Sequence, residues 1–279
     1  MTYAEVPLES VRADGVLRFP IGRDPQAPWA ILSLRSGGSM RYIHGEPNPV
    51  RERFFRNCGI DPGRVLAVEL VHSREVLYPQ GAEDTRGMRA DGIIVGPGPW
   101  VPTVTVADCM PIWIRHERSG AYGVLHSGWQ GTGILKAAVM GLAARFKADP
   151  REIDAVLGPA IGPCCYCVPE ERARAFRSEF GGRAALLQGG AWRLDLAAAN
   201  LGIARRLGLR SLMRLSGCTC CDADLGSFRR EGPEGFTRMV AAAACLGPEP
   251  RDGACGTVMR TAASSPARRR VTDARPAVP

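Results

Sequence analysis

The sequence predicts a single-domain α/β fold with mixed sheets, and three observations lead there. Short apolar runs bounded by Gly and Pro alternate with segments of helical periodicity. Two of those runs, at 112–115 and 121–125, are joined by the short polar turn HERSG, which reads as an antiparallel hairpin and excludes a simple doubly wound parallel sheet. No stretch between 16 and 260 is rich enough in Pro, Gly or Ser to divide the chain, so one catalytic-sized domain is expected there.

Taken in order, residues 1–15 read as an N-terminal extension ahead of that domain. Apolar strands are expected at 29–34, 65–71, 103–106, 112–115 and 121–125, with shorter ones at 155–157 and 211–215. Helical spacing of apolar residues marks 50–58, 132–146, 169–180 and 195–207. Residues 261–279, rich in Ala, Pro, Ser and Arg without periodicity, read as a disordered tail.

Composition narrows the functional classes. With 279 residues and 45% hydrophobic content, the chain can bury enough surface to fold without a disulfide or metal staple, so a metal site would serve function first. The longest apolar stretch, 239–246, is far short of the roughly 20 residues a membrane span needs. The N-terminus lacks the basic cap and apolar core of a secretory signal, so a cytoplasmic protein with no membrane partner is expected. In that compartment thiols stay reduced, and ten cysteines point to metal binding or catalysis before disulfides. The net charge of +8 is concentrated in the tail, where five arginines face one aspartate in the last twenty residues. No stacking aromatics or recognition helix accompany it, so no specific nucleic-acid partner is expected.

The densest chemistry lies in VTVADCMPIWI and AYGVLHSGWQGTG, where two apolar strands are expected to deliver Cys109 and His126 to loop positions seventeen residues apart. His72 stands at the end of a third apolar run, LAVELVHS. Three N and S ligands with one open position is the arrangement of a catalytic zinc site, with copper the alternative ion. Taken singly, such residues are also consistent with a small buried Cys and hydrogen-bonded structural histidines. His44 and His116, in a Gly/Pro-rich segment and in the charged hairpin turn, read as exposed. The loop SGWQGTG leads into a helix, so Gly131 could offer backbone N–H groups and a helix dipole to phosphate, or the glycines could serve tight backbone geometry alone. Cys164, Cys165 and Cys167 with Cys218, Cys220 and Cys221 form a CCxC and a CxCC group, open to a second metal, a redox pair, or buried reduced thiols.

The strings ELVHSREV, TVADCMPIW, GVLHSGWQGT, LGPAIGPCCYCV and SGCTCCDADLGSFRREG, in this order, resemble the signature stretches of the YfiH family, also called the polyphenol oxidase or laccase-domain family. The resemblance implies a layered αβ fold of the CNF1/YfiH-like type and a zinc held by His72, Cys109 and His126. It also implies Asp108 as a catalytic neighbour, either an acid or a support for Cys109 or His126. Arg35, in AILSLRSGGS, and Arg229 and Arg230, in SFRREG, would contact substrate. The implied activity is phosphorolysis of purine nucleosides (adenosine, inosine, guanosine, methylthioadenosine) by inorganic phosphate, with an adenosine deaminase side activity, in a monomer or weak homo-oligomer. Alternatives attached to the family are copper-dependent phenol oxidation and a Cys/His hydrolase acting in peptidoglycan precursor editing, and a non-enzymatic metal-binding role is a further reading. Four histidines are few for a multicopper cluster. The chain departs from the family pattern at Leu70, Ser73, Ser127 and Gln130, where Gln, Gly, Ala and Arg are usual; the last change removes a guanidinium from the expected pocket.

Overall fold

Val and Ile runs that are apolar at every position, rather than at alternate ones, require burial on both faces, and such strands stand at the centre of the molecule. The computed structural model describes residues 1–13 and 15–246; the tail expected at 261–279 lies outside the described residues. In chain order the strands are β1 (Thr2–Pro7), β2 (Arg12–Ala13), β3 (Val16–Pro20), β4 (Trp29–Ser33), β5 (Val65–Leu66), β6 (Val76–Leu77), β7 (Gly92–Val95) and β8 (Val101–Val106). They continue with β9 (Met110–His116), β10 (Tyr122–Ser127), β11 (Ile153–Leu157), β12 (Cys167–Val168), β13 (Ala185–Gln188), β14 (Ala191–Leu194), β15 (Ser211–Ser216) and β16 (Met239–Ala244). The helices are α1 (Pro49–Asn57), α2 (Ile134–Phe146), α3 (Glu170–Phe180), α4 (Leu196–Leu207) and the short α5 (Phe228–Glu231).

Two large sheets pack face to face. One has seven strands in the order β1-β15-β11-β9-β10-β7-β6, the other six in the order β2-β3-β4-β16-β8-β5; β12-β14-β13 form a small third sheet. Side chains alternate between layers as the pleat requires. Ile112 and Ile114 of β9 join the core under α2 and α4, while Trp113 between them joins the core separating the two sheets. In β16, Ala241 and Ala243 face that inter-sheet core, whereas Val240 and Ala242 face the outer core closed by Phe55 of α1. The result is four layers, α1, six-stranded sheet, seven-stranded sheet, and α2 with α4. One buried polar atom is paired across the two sheets: Trp113 Nε1 donates to the Ala242 carbonyl at 2.8 Å.

The helices begin and end where local chemistry allows. Asn48 accepts from the Arg51 amide with Pro49 at the first helical position, and Asp195 accepts from the Ala198 amide, with Gly208 in the left-handed conformation closing α4.

The expected hairpin is β9 and β10, antiparallel in register from Arg115 opposite Tyr122 to Met110 opposite Ser127. Three expectations are corrected. The strand expected at 65–71 is continuous only over Val65 and Leu66, with one further isolated bridge from Glu69 to Arg89, and beyond it the amides of residues 71–73 turn to a carboxylate rather than to a neighbouring strand. Residues 2–7, expected as part of an extension, are edge strand β1, parallel to β15 from Thr2 opposite Ser211 to Pro7 opposite Ser216. His116 is buried, not exposed: it ends β9, with Nδ1 2.7 Å from Ser119 Oγ and Nε2 donating to Glu152 at 3.1 Å. Among the described residues no helix is long and apolar enough to cross a membrane.

Candidate functional site

Strand register assembles the site. Met110 lies opposite Ser127, so the next residues outward, Cys109 and Gly128, face each other at the open end of the hairpin. On the other side of β10, Leu125 pairs with Gly92, which sets His126 beside Asp91. Parallel pairing of Val76 with Gly92 then draws the segment just before β6, including His72, to the same place. The ligand atoms of His72, Cys109 and His126 all lie within 4.8 Å of one another, and the two imidazole rings stand edge to face with centroids 4.9 Å apart. His126 is the penultimate residue of β10 and buried rather than in a loop; Cys109 precedes β9 in the expected position; His72 sits in a turn with φ of 59°.

Asp91, which sequence reasoning missed, organises this cluster. Its Oδ1 accepts from His126 Nδ1 at 2.8 Å and from the His72 amide at 3.0 Å; Oδ2 accepts from the Ser73 amide and hydroxyl at 2.6 and 2.8 Å and from the Val71 amide at 3.3 Å. Burial alone would raise the Asp91 carboxyl, but hydrogen bonds from His126 and Ser73 hold it below the usual carboxylate range. The bond to Nδ1 leaves Nε2 as the nitrogen of His126 that could ligate a metal.

Burial would also push the Cys109 thiol up; the flanking His126 and His72 reverse this and bring it down to about 6. In the same pair, burial would lower His126, while Cys109 and Asp91 on either side of the ring hold it up, at about 10. The thiolate this favours is the form that ligates a metal. Gly128 makes room for it, because a Cβ there would lie 2.7 Å from Cys109 Sγ.

The cluster lines a cavity of about 570 Å³. The same lining includes Trp129, Tyr166, Phe236 and three arginines, Arg172, Arg229 and Arg238. Arg172 stacks on Trp129 at 4.4 Å and Arg238 on Phe236 at 3.9 Å. Of the substrate contacts expected from the sequence, Arg229 reaches the cavity, its guanidinium donating to the carbonyls of Cys165 and Cys167. Arg35 and Arg230 are not in its lining. Arg35 binds the Ala223 carbonyl, and Arg230 ties the carbonyls of Thr219, Cys220, Asp222 and Leu225 into one knot. Gly131 is also outside the lining; a Cβ there would meet the Ser73 carbonyl at 2.8 Å, so it serves close backbone approach. Asp108 lines the cavity with φ of 80°, and its oxygens accept from Thr219 Oγ1 at 2.6 Å and the Arg229 amide at 2.7 Å. Arg172 and Arg238 were not singled out by sequence. Among 34 arginines, only the fold shows which side chains reach the cavity.

A family model described as multi-copper polyphenol oxidoreductase laccase matches residues 46–245. A Streptomyces coelicolor protein named purine nucleoside phosphorylase is 30% identical over 211 residues, covering 75% of this chain and 86% of its own. The crystal structure of YlmD from Geobacillus stearothermophilus aligns with a TM-score of 0.76 at 25% identity over 85% of this chain and 98% of that one. The Bacillus licheniformis hypothetical protein YfiH shares the fold, with a TM-score of 0.70 at 22% identity over 78% and 93% of the two chains. The family match runs from before the turn carrying His72 into the strand after Arg238, and on that match the chain belongs to the multi-copper polyphenol oxidoreductase laccase family, the YfiH family.

Proposed function

We propose that this chain is a zinc-dependent purine nucleoside phosphorylase. One observation carries the reading: a three-ligand N/S cluster shares a single cavity with aromatic rings and with guanidiniums that stack on those rings. The donor set fits zinc, since two imidazoles and a thiolate leave one position open, and the Asp91 bond fixes one imidazole in its ligating orientation. Copper accepts the same ligands, but a multicopper centre does not fit. His44 is exposed elsewhere and His116 is consumed by Ser119 and Glu152. Bound there by His72, Cys109 and His126, zinc supplies Lewis acidity.

The chain's own residues account for the rest. Trp129, Tyr166 and Phe236 offer stacking faces for a purine. Arg172 and Arg238, with Arg229, hold phosphate in planar multidentate contact. A phosphate oxygen then bonds to C1′ of the ribose as the C1′–N9 bond breaks, and the departing purine takes the electron pair and, in balance, the proton that the attacking hydrogen phosphate gives up. Asp108 braces the Arg229 backbone and Thr219, keeping the arginine wall in place. Water attacking C6 of adenosine bound in the same cavity, with ammonia leaving, would give inosine as the side activity.

The reading is tested by incubating metal-quantified protein with adenosine or inosine, with and without inorganic phosphate, and following products by chromatography. Free base and ribose 1-phosphate formed only with phosphate are expected; inosine from adenosine measures the deaminase. Base released equally without phosphate would overturn the phosphorylase assignment.

A second reading has a specific observation behind it. Asp91, His126 and Cys109 are also aligned as carboxylate, imidazole and thiol, the order of a cysteine hydrolase. A thiolate cannot be metal ligand and free nucleophile together, so full activity after metal removal would favour that hydrolase.

A further inference from the structure

Four cysteines outside the cavity cluster converge on one point. The Sγ atoms of Cys164, Cys165, Cys218 and Cys221 all lie within 4.8 Å of one another, with Cys221 3.4 Å from Cys165 and 3.7 Å from Cys164. A tetrahedral tetrathiolate zinc, with bonds of about 2.3 Å, places its sulfurs about 3.8 Å apart. The expectation of buried thiols fails here, because Cys164 and Cys221 are exposed and Cys165 and Cys218 only half-buried. Cys167 and Cys220 of the two sequence groups stay outside the set.

The cysteines come from two turns that the fold has already joined. Cys164 and Cys165 lie in the turn after β11, where the amides of Cys165 and Tyr166 both bond to the Gly162 carbonyl. Cys218 and Cys221 close the turn after β15, where the Cys221 and Asp222 amides bond to the Cys218 carbonyl. An isolated bridge between Ala160 and Cys218 holds the turns side by side, and the Gly162 amide donates to Cys218 Sγ at 3.2 Å. An amide aimed at sulfur supports thiolate character. Four thiolates around a divalent ion leave a net double negative charge, and three arginines reach the same turns: Arg193 binds the carbonyls of Pro163 and Cys164, Arg229 that of Cys165, and Arg230 that of Cys220.

We propose that Cys164, Cys165, Cys218 and Cys221 bind one zinc ion, separate from the His72/Cys109/His126 site. The ion staples the turn after β11 to the turn after β15. Those turns carry Tyr166 and the anchor of Arg229, so the staple fixes one wall of the cavity. The inference does not depend on the nucleoside reaction.

The test begins with protein purified under reducing conditions, whose zinc is counted by mass spectrometry of the metal. About two zinc ions per wild-type chain are expected, and about one in H72A/H126A, whose four cysteines are intact. Cobalt loaded into H72A/H126A should give the intense sulfur-to-metal charge-transfer and tetrahedral bands of a tetrathiolate. C164S/C221S should lose this ion and keep the other. A metal-free H72A/H126A would overturn the proposal, whether its thiols all titrate or its mass falls by two through a disulfide. Because the deciding reading is made with the cysteines in place, it stands even if C164S/C221S does not fold.

Discussion

Five donors converge on Asp91, three of them backbone amides of the turn that carries His72, so this carboxylate sets both the position of His72 and the ring orientation of His126. Asp91→Asn replaces an acceptor by an amide nitrogen facing those donors. A loss of about 10 to 100-fold in zinc affinity is expected, read by titration against a competing chelator. Gly128→Ala should act more directly, because its Cβ would stand 2.7 Å from Cys109 Sγ and displace the ligand; metal content should fall while far-ultraviolet circular dichroism is retained. Arg172→Ala should raise KM for phosphate by about tenfold or more, with zinc content unchanged, since a charge-assisted contact contributes about 1.5–3 kcal/mol. That His72, Cys109 and His126 could share a site was legible in sequence because each borders an apolar run and only four histidines are present. Asp91 was not, since its partner His126 is 35 residues away and only the pairing of β7 with β10 joins them. Arg35 and Arg230 were expected in the cleft and serve loop structure instead, while Arg172 and Arg238 do the reverse.

At the scale of elements, the hairpin of β9 and β10 was readable because its strands are long, apolar and joined by a short polar turn. Strand β16, MVAAAA, was not assigned from sequence: alanine has low strand propensity, and here the spacing of two stacked layers selects small side chains. Ala241→Leu should therefore overpack the interface between the sheets and cost about 1–3 kcal/mol. For a domain of this size that is a fall of several degrees in Tm, measured by calorimetry. Trp113→Phe should cost a similar amount by leaving the Ala242 carbonyl without its indole donor. The short β13–β14 hairpin escaped reading because each strand has only four residues, joined by Gly189 and Gly190.

For the molecule as a whole, a mixed αβ architecture followed from the alternation of apolar runs and helical periods, but the number of layers did not. Which face of each strand meets which sheet depends on long-range pairings such as β1 with β15, more than 200 residues apart in sequence. The ends of the sheet strands and the segments beside them hold the His72/Cys109/His126 cluster, while α3 supplies Arg172, α5 supplies Arg229, and the connecting segments supply Trp129, Tyr166, Phe236 and Arg238. On this account catalysis requires both parts, and metal is the link that most directly separates it from its rival. The decisive measurement is the rate of phosphate-dependent ribose 1-phosphate formation from inosine, first after chelation and then as zinc is returned, in wild type and in C109A. Turnover that vanishes on chelation, returns with zinc in wild type and never appears in C109A is the predicted result. Undiminished turnover by the metal-free wild type would contradict the account and leave Cys109 as a nucleophile rather than a ligand.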